Sequence, residues 1–241
     1  MAKKETILNV DVSNETYDSL IQQLFNRMKE NKQAFIVAVN PEKIMKADQN
    51  PDLKALINTA DYQIPDGVGV LLASKLQGGS ITNRITGIDL MMEIVREAAE
   101  QEKRIFLYGA KPGVAEAAKE QLVQDYPNLQ VAGVMHGYHD DNEYIIETIN
   151  QSQADILFVA MGSPRQEEWI RQNQSRLHVS VFQGVGGSFD VVAGNTKRAP
   201  VWSRKLGLEW LYRLIAEPWR WKRQIVLPKF LLKVLQQRTK K

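Results

Sequence analysis

The sequence predicts an α/β protein with a Rossmann-like, mostly parallel sheet and helices on both of its faces. The first observation is that short apolar runs alternate with amphipathic segments, joined by short turns that carry glycine. The second is residues 34–39, which are apolar throughout, as expected for a strand covered on both faces. The length of 241 residues is enough for one large domain, or one domain with an appendage.

The predicted elements follow one another along the chain. The predicted strands are residues 7–12, 34–39, 62–64, 105–108, 129–135, 156–161 and 179–182. Helices are predicted to follow Ser13-Asn14, Asn40-Pro41, Gly67 and Thr86, and over residues 114–126, 141–151 and 165–174. Asn is a favoured helix N-cap and Pro a favoured first helical residue, so Asn40 both ends a strand and begins a helix.

Ligands of parallel sheets bind beyond the carboxyl ends of the strands. Asn40, Asp66, Gly109, Gly162 and Gly184 each lie at the predicted end of a strand. The sequence therefore predicts that they line one rim of the sheet, although they are far apart along the chain.

Asp66 is the main candidate for a catalytic residue. It follows a short extended run and Pro65, and Gly67 and Gly69 beside it leave room for a ligand. Arg84 comes after the next helix and is a candidate for clamping an anion. The alternative is structural, because Asp before Gly is common in turns and also caps helices.

Two glycine turns are candidates for binding phosphate. Residues 109–113 join a strand to a helix, where free backbone N–H groups suit a phosphate, but a plain tight turn is equally compatible. They match neither a P-loop nor the GxGxxG motif. Residues 184–190 resemble a shortened dinucleotide fingerprint, but no βαβ unit follows them, so they are a weak NAD signature.

Residues 162–167 place polar side chains on the first turn of a helix. Glu167 and Glu168 suit the helix dipole there, and we interpret Gln166 as a ligand contact on the same rim as Asp66. The segment from His136 to Asp141 has metal-ligating residue types but lacks a third well-spaced partner, which favours a solvated loop. No motif requires a metal or another cofactor.

The charge is divided unevenly along the chain. Residues 1–194 hold 18 basic and 26 acidic residues, a net charge of −8, whereas residues 195–241 hold 13 and 2, a net charge of +11. The basic end also contains Trp202, Trp210, Trp219 and Trp221. We therefore predict two parts, an α/β catalytic domain over residues 1–195 and a basic appendage over residues 196–241.

The appendage sequence mixes aromatic, aliphatic and basic residues at helical spacing, which is typical of helices lying in a bilayer interface. Amphipathic helices that pack on the core are the alternative. Nucleic acid is disfavoured as a partner, because the apolar faces are rich and no nucleic-acid-binding module is recognisable. No apolar run is long enough for a signal peptide or a membrane span, and the absence of cysteine excludes disulfides and thiolate chemistry.

Several blocks in this order resemble the WecG/TagA/CpsF glycosyltransferase family, over nearly the whole chain. The blocks are Asn40-Pro-Glu42, Ile64-Pro-Asp-Gly67, Arg84-Ile-Thr-Gly-Ile-Asp89, Leu107-Tyr-Gly-Ala110, Gly162-Ser-Pro-Arg-Gln-Glu167, Gly184-Val-Gly-Gly-Ser-Phe-Asp190, Arg198-Ala-Pro200 and Gly207-Leu-Glu-Trp-Leu-Tyr-Arg-Leu214. The sequence departs from the family at Ala38, where members often have Thr.

The resemblance implies transfer of an N-acetylhexosamine from a UDP donor to an undecaprenyl-diphosphate-linked GlcNAc. For the Gram-positive branch the implied donor is UDP-ManNAc, in making the linkage unit of wall teichoic acid. The implied location is the cytoplasm, with peripheral attachment to the anionic inner face of the cell membrane. The oligomeric state, including a homo-oligomer, is left open.

The residues and the resemblance together give a set of expected site residues. Asp66 is expected to act as general base in an inverting reaction, with Asn40, Arg84 and Gln166 positioning the substrates. The expected substrate-binding residues are Gly109, Ala110, Lys111, Gly162, Arg165, Gly184, Gly186, Gly187 and Asp190, together with Arg213, Arg220 and Arg223 of the appendage. A nicotinamide-dependent enzyme and a non-catalytic, membrane-recruited UDP-sugar sensor are the two alternatives from other classes.

Overall fold

The computed structural model describes residues 3–200, 202–203, 211–212 and 226–238. It confirms the predicted α/β class, with a six-stranded parallel sheet flanked by helices. The predictions for Arg213, Arg220 and Arg223, and for Trp210, Trp219 and Trp221, concern residues outside these ranges. The basic, membrane-facing character of the appendage and its boundary at residue 195 stay predictions.

The described elements have the following bounds. The strands are β1 Lys4–Ile7, β2 Val10–Ser13, β3 Ala34–Val39, β4 Tyr62–Pro65, β5 Arg104–Gly109, β6 Gln130–Met135, β7 Ile156–Ala160 and β8 Val181–Gly184. The helices are α1 Tyr17–Lys29, α2 Pro41–Gln49, α3 Pro51–Asn58, α4 Val68–Leu76, α5 Gly87–Glu100, α6 Val114–Asp125, α7 Asn142–Gln151, α8 Arg165–Asn173, α9 Ser188–Val192 and the C-terminal helix Val226–Arg238.

The parallel sheet has the order β4-β3-β8-β7-β5-β6. In the β3–β4 pair, Val39 lies opposite Pro65, so Asn40 and Asp66 follow neighbouring strands at the same level. In the β3–β8 pair, Ile36 lies opposite Gln183. This register brings the end of β8 beside the end of β3, although about 145 residues separate them along the chain.

Two apolar clusters cover the two faces of the sheet. The first-face cluster receives side chains from α2, α3, α4, α7 and α8, and the second-face cluster receives them from α1, α5, α6 and α9. The helices that follow β3 and β8 therefore lie on opposite faces, and so do those that follow β5 and β7. In sheets of this kind a crevice forms where neighbouring connections diverge in this way. The helices after β7 and β8 diverge in the same way, and so do those after β5 and β6. We refer to two of these four places as the β3/β8 switch point and the β5/β7 switch point.

The prediction of one strand over residues 7–12 is wrong. The chain forms an antiparallel hairpin outside the main sheet, in which Ile7 pairs with Val10. The turn residues Leu8 and Asn9 have φ of 48° and 63°, as in hairpin turns with two positive φ angles. Leucine rarely adopts such angles, so the local sequence does not announce a turn there.

The N-cap predicted at Ser13-Asn14 is also wrong. Thr16 caps α1, with its hydroxyl accepting from the Ser19 N–H at 3.1 Å, and the Thr16 N–H in turn donates to the Ser19 hydroxyl. Ser13 instead ends β2, and its Oγ accepts from the Gln63 N–H at 3.0 Å. Both residue types are good N-caps, so the sequence alone could not choose between them.

The C-terminal helix packs on its own chain. Phe230 and Val234 are fully buried in the first-face cluster, and the helix contacts α2 and α4. Lys233 pairs with Asp48 of α2, and the Gln77 amide donates to Gln237 Oε1 at 2.9 Å. This part of the appendage therefore shares its core with the sheet domain.

Candidate active site at the carboxyl end of the sheet

Asn40 and Asp66 lie side by side beyond β3 and β4. The Asn40 side chain caps α2 by accepting from the Lys43 N–H at 2.9 Å. The Asp66 N–H donates to the Val39 carbonyl at 2.8 Å, which continues the strand pairing by one residue. Gly67 then takes φ of 103°, a value that L side chains rarely adopt, and begins α4. The sequence thus places an amide and a carboxylate on a rigid backbone.

A cleft of about 750 Å³ opens at the β3/β8 switch point. This volume is within the range of about 300–1,000 Å³ that is usual for small-molecule sites. The predicted site residues on its wall are Asn40, Asp66, Arg84, Gly162, Gln166, Gly184, Gly186, Gly187 and Asp190. The structure therefore brings these residues together around one cleft, which was expected for Asn40, Asp66, Gly162 and Gly184 from their positions at strand ends.

The loop that carries Arg84 is held across the end of β4. The Ile85 N–H donates to the Pro65 carbonyl at 3.1 Å, which brings Arg84 to the same wall as Asp66. Thr86 then caps α5, and its hydroxyl contacts the Asp89 carboxylate at 2.6 Å.

Two further contacts fix the start of α5. The Thr86 N–H donates to the Tyr17 hydroxyl at 2.9 Å, and burial raises the pKa of that hydroxyl. Arg198 pairs with Asp89 at 2.5 Å, which attaches the chain after α9 to the same turn. Thr86 and Thr196 both line the cleft, so these contacts fix part of its wall.

Gln166 lies under the turn that follows β8. Its side-chain Oε1 accepts from the Gly186 N–H at 3.0 Å. A Cβ on Gly184 would come within 2.5 Å of Gln166 Nε2, so only glycine permits this close approach. The prediction placed Gln166 at the ligand rim, and the structure adds that it holds the backbone of the cleft floor.

The charged side chains of the cleft come from both walls. Lys43 and Lys46 of α2 join Arg84 as cations, and Glu42 and Asp190 join Asp66 as acids. Glu42 pairs with Lys46 at 2.8 Å near the surface. Lys43 pairs with Glu167 at 2.6 Å, and both of these side chains are almost inaccessible to solvent, at 10% and 1% exposure.

Lys43 and Lys46 were not among the site residues predicted from the sequence. A signal was present, because residues at i+3 on a helix lie near the N-cap face, and Lys43 is three residues after Asn40. The partner of Lys43 was not predictable, because Glu167 lies 124 positions further along the chain.

Four predicted binding residues do not line the described part of the cleft wall, namely Gly109, Ala110, Lys111 and Arg165. Their strands end at the β5/β7 switch point. Gly109, Ala110 and Lys111 follow β5, which is two positions from β8 in the strand order, about 10 Å at the usual strand spacing. Arg165 follows β7 and lies between Pro164 and Gln166, which both line the cleft. The role of all four in binding the nucleotide stays a prediction, and the position of the cleft does not support it for the three residues after β5.

The turn after β5 is also occupied by backbone contacts. The Ala110 N–H donates to the Ala160 carbonyl at 2.7 Å, and the Ala110 carbonyl accepts from the Gly137 N–H at 2.9 Å. A Cβ on Gly109 would come within 2.5 Å of the Ala160 backbone. This packing favours the tight-turn interpretation of residues 109–113.

The loop with His136 and His139 lies beside this turn. Their rings stack with centroids 4.2 Å apart, and Tyr138 in between is exposed. Over the residues that the structure describes, no three His, Cys, Asp or Glu side chains form a group that could hold a metal ion. Within the same ranges, no helix is both long and apolar enough to cross a bilayer.

An acid, an amide and cations around a cleft at the carboxyl end of a parallel sheet are typical of an enzyme's ligand-binding site. Residues 5–241 match the family described as Glycosyl transferase WecG/TagA/CpsF, and the chain belongs to this family. It is thus a glycosyltransferase, which decides against the nicotinamide and sensor alternatives.

Three relatives of the chain share one name, N-acetylglucosaminyldiphosphoundecaprenol N-acetyl-beta-D-mannosaminyltransferase. The chain is 39% identical to the Bacillus subtilis (strain 168) protein over 238 residues, 98% of this chain and 93% of the relative. It is 41% identical to the Bacillus spizizenii protein over 208 residues, 86% and 81% of the two chains. It is 38% identical to the Staphylococcus aureus (strain NCTC 8325 / PS 47) protein over 240 residues, 98% and 94%.

Proposed function

We propose that the enzyme transfers N-acetylmannosamine from UDP-ManNAc to GlcNAc-diphosphoundecaprenol, in synthesis of the teichoic acid linkage unit. The observation that carries the proposal is the cleft in which Asp66, Asn40 and Arg84 meet at the β3/β8 switch point. The names of the three relatives support this acceptor and this sugar. Another UDP-hexosamine, used for a different surface polysaccharide, is the competing donor.

Asp66 is proposed as the general base. Its carboxylate takes the proton of the acceptor hydroxyl, whose oxygen attacks the anomeric carbon from the face opposite the nucleotide. The bond from that carbon to the UDP oxygen breaks, and UDP leaves with the electron pair. Inversion of an α-linked donor produces a β linkage, which agrees with the beta in the relatives' names. A positioned base of this kind contributes typically ~10²–10⁴-fold to the rate.

The other cleft residues are proposed to bind and orient the substrates. Asn40 and Gln166 both line the cleft, and the turn at Gly184, Gly186 and Gly187 offers space without side chains to the donor. Arg84 is proposed to face the diphosphate, because preorganised cations stabilise the charge that develops on a leaving phosphate. Arg213, Arg220 and Arg223 are proposed to add to this charge stabilisation, as the family resemblance implies.

The transfer is tested by incubating the protein with UDP-ManNAc or UDP-GlcNAc and a short-chain lipid-diphosphate-GlcNAc. We expect UDP release that requires both UDP-ManNAc and the acceptor, and a β-linked disaccharide by the one-bond C1–H1 coupling in NMR. Faster transfer from UDP-GlcNAc would overturn the proposed donor. An α-linked product would overturn inversion, and with it the role of Asp66 as base.

Attachment to the inner face of the membrane is the last part of the proposal. It is supported by the net charge of +11 in residues 195–241 and by the lipid on the proposed acceptor. Each Lys or Arg near an anionic leaflet adds ~1 kcal/mol, so replacing Arg213, Arg220 and Arg223 by Gln should weaken binding to phosphatidylglycerol vesicles at least tenfold. Point variants are preferable to truncation, because the C-terminal helix buries Phe230 and Val234. Unchanged sedimentation with vesicles would contradict the membrane role of these three residues.

A further inference from the structure

Lys43 and Glu167 form an ion pair under the cleft, and this pair takes no part in the proposed reaction. The Lys43 ammonium lies 2.6 Å from Glu167 Oε1, with 10% and 1% of the two side chains exposed. Burying two charges is costly unless further bonds compensate for the lost water. Glu167 Oε2, however, is buried with no hydrogen-bond partner among the described residues. Stability alone therefore does not account for the presence of this buried pair.

The carboxylate is part of a chain of contacts that reaches the cleft floor. The same Oε1 of Glu167 also accepts from the Gln166 amide Nε2 at 3.1 Å. The other end of that amide, Gln166 Oε1, accepts from the Gly186 N–H at 3.0 Å. One carboxylate oxygen thus connects Lys43 on α2, through Gln166 on α8, to the turn after β8.

A carboxylate that faces an amide determines which way the amide points. An ionised carboxylate only accepts hydrogen bonds, so the Gln166 NH₂ group must face Glu167. Gln166 Oε1 must then face the Gly186 N–H. If the amide turned over, its NH₂ group would meet a backbone donor, and the turn could not keep its present position.

The Lys43 end of these contacts connects the pair to the residues that follow β3. The Lys43 backbone N–H donates to the Asn40 side chain, while its ammonium holds Glu167. Lys43 and Gln166 both line the cleft. The contact therefore joins the residues that follow β3 to those that follow β7.

We propose that Glu167, held by Lys43, is a positioning residue that fixes the Gln166 amide and through it the Gly184–Gly187 floor of the donor site. Glu167 itself does not touch substrate in this proposal. The inference rests on the proposed function only in taking the floor to be a nucleotide-sugar site.

The first test replaces the shared oxygen. In Glu167→Met neither Lys43 nor Gln166 has its acceptor, and we expect the Gly186 amide to shift in ¹H–¹⁵N spectra of the ligand-free protein. UDP affinity by calorimetry should fall about tenfold. Glu167→Gln keeps an oxygen for both donors and should retain affinity within about threefold. Glu168→Met, an exposed neighbour on the same helical turn, is the matched control and should change neither quantity.

The second test asks whether Glu167 acts through Gln166. In a double-mutant cycle on kcat/KM, Gln166→Met and Glu167→Met should each lower the value. Their combination should be less than twofold worse than Gln166→Met alone, because coupled residues are not additive. Equal losses from Glu167→Met in both backgrounds would overturn the proposal.

A third variant separates positioning from folding. Glu167→Met leaves the Lys43 charge buried and unpaired, which should lower Tm, whereas Lys43→Met/Glu167→Met replaces the pair by apolar groups and should recover most of the Tm. We expect UDP affinity to stay about tenfold low in the double variant. Recovery of affinity together with Tm, or a Gly186 resonance unmoved in both variants, would make the pair purely structural. Spectra and UDP affinity remain readable if UDP-ManNAc proves not to be the donor, so the two failures are distinguishable.

Discussion

The β3/β8 and β5/β7 switch points have similar sequences and different structures. At each, a strand ends in a glycine-bearing turn and neighbouring helices diverge to opposite faces of the sheet. At the β3/β8 switch point the side chains stand back around a cleft of about 750 Å³. At the β5/β7 switch point, the Ala110 N–H donates to the Ala160 carbonyl and the Ala110 carbonyl accepts from the Gly137 N–H, so backbone contacts occupy the turn after β5. A glycine turn at a strand end therefore allows another group to approach the backbone closely. The surrounding residues determine whether that group is a ligand or another loop.

The largest expected effect comes from removing the carboxylate of Asp66 at the β3/β8 switch point. Asp66→Asn should keep the shape of the site and UDP binding, but lower kcat by ~10²–10⁴-fold, because the proton acceptor is lost. The measurement is UDP release under saturating donor and acceptor.

An exposed acid near the β5/β7 switch point provides the matched control. Asp141 is exposed and caps α7, its carboxylate accepting from the Tyr144 N–H at 3.1 Å. Asp141→Asn keeps a good N-cap and should leave kcat unchanged. A loss of only two- or threefold for Asp66→Asn would remove Asp66 from the role of base.

Alanine at one glycine of each switch point should separate binding from stability. At Gly109, φ is 119° and a Cβ would meet the Ala160 backbone, so Gly109→Ala should cost about 2 kcal/mol or more of unfolding free energy. The donor KM of the folded fraction should not change. Chemical denaturation and initial rates measure the two quantities.

Gly186→Ala, unlike Gly109→Ala, should change the donor KM. Its φ of 53° is left-handed, which costs a side chain about 1–2 kcal/mol, but apart from its chain neighbours no atom of the described residues lies within 4 Å of the added Cβ. The methyl group would enter the space proposed for the donor, so Gly186→Ala should raise the donor KM about tenfold. If Gly109→Ala raises the donor KM and Gly186→Ala does not, the assignment of the two switch points is reversed.

The smallest expected effects come from the exposed cations. Lys46 lines the cleft, and Lys46→Ala should raise KM about two- to fivefold, the usual contribution of an exposed charge. Lys111→Ala and Arg165→Ala should change KM less than twofold, because salt screens charges outside the site. A tenfold loss for either variant would support the sequence-based prediction for that residue, and for Lys111 it would show that the nucleotide extends to the turn after β5.

The sequence by itself determined the α/β class and most of the strand ends. Alternation of apolar runs and amphipathic helices leaves few other ways to cover both faces of a sheet. Asn40, Asp66 and Gln166 were predictable as rim residues, because strand and helix boundaries carry local signals in proline, glycine and capping side chains. The family was recognisable from short blocks around the same boundaries, and the match over residues 5–241 confirms it.

Only the tertiary structure decided which strand ends meet. The order that places β8 beside β3 depends on packing between segments about 145 residues apart, which no local pattern encodes. The same limit hid the pairing of Lys43 with Glu167 and the burial of Phe230 in the first-face core. Leu8 and Asn9 show a local limit, since the hairpin they form requires a backbone angle that leucine rarely adopts. Local propensity sets where elements begin and end, whereas long-range burial and backbone hydrogen bonding set which of those ends become a site.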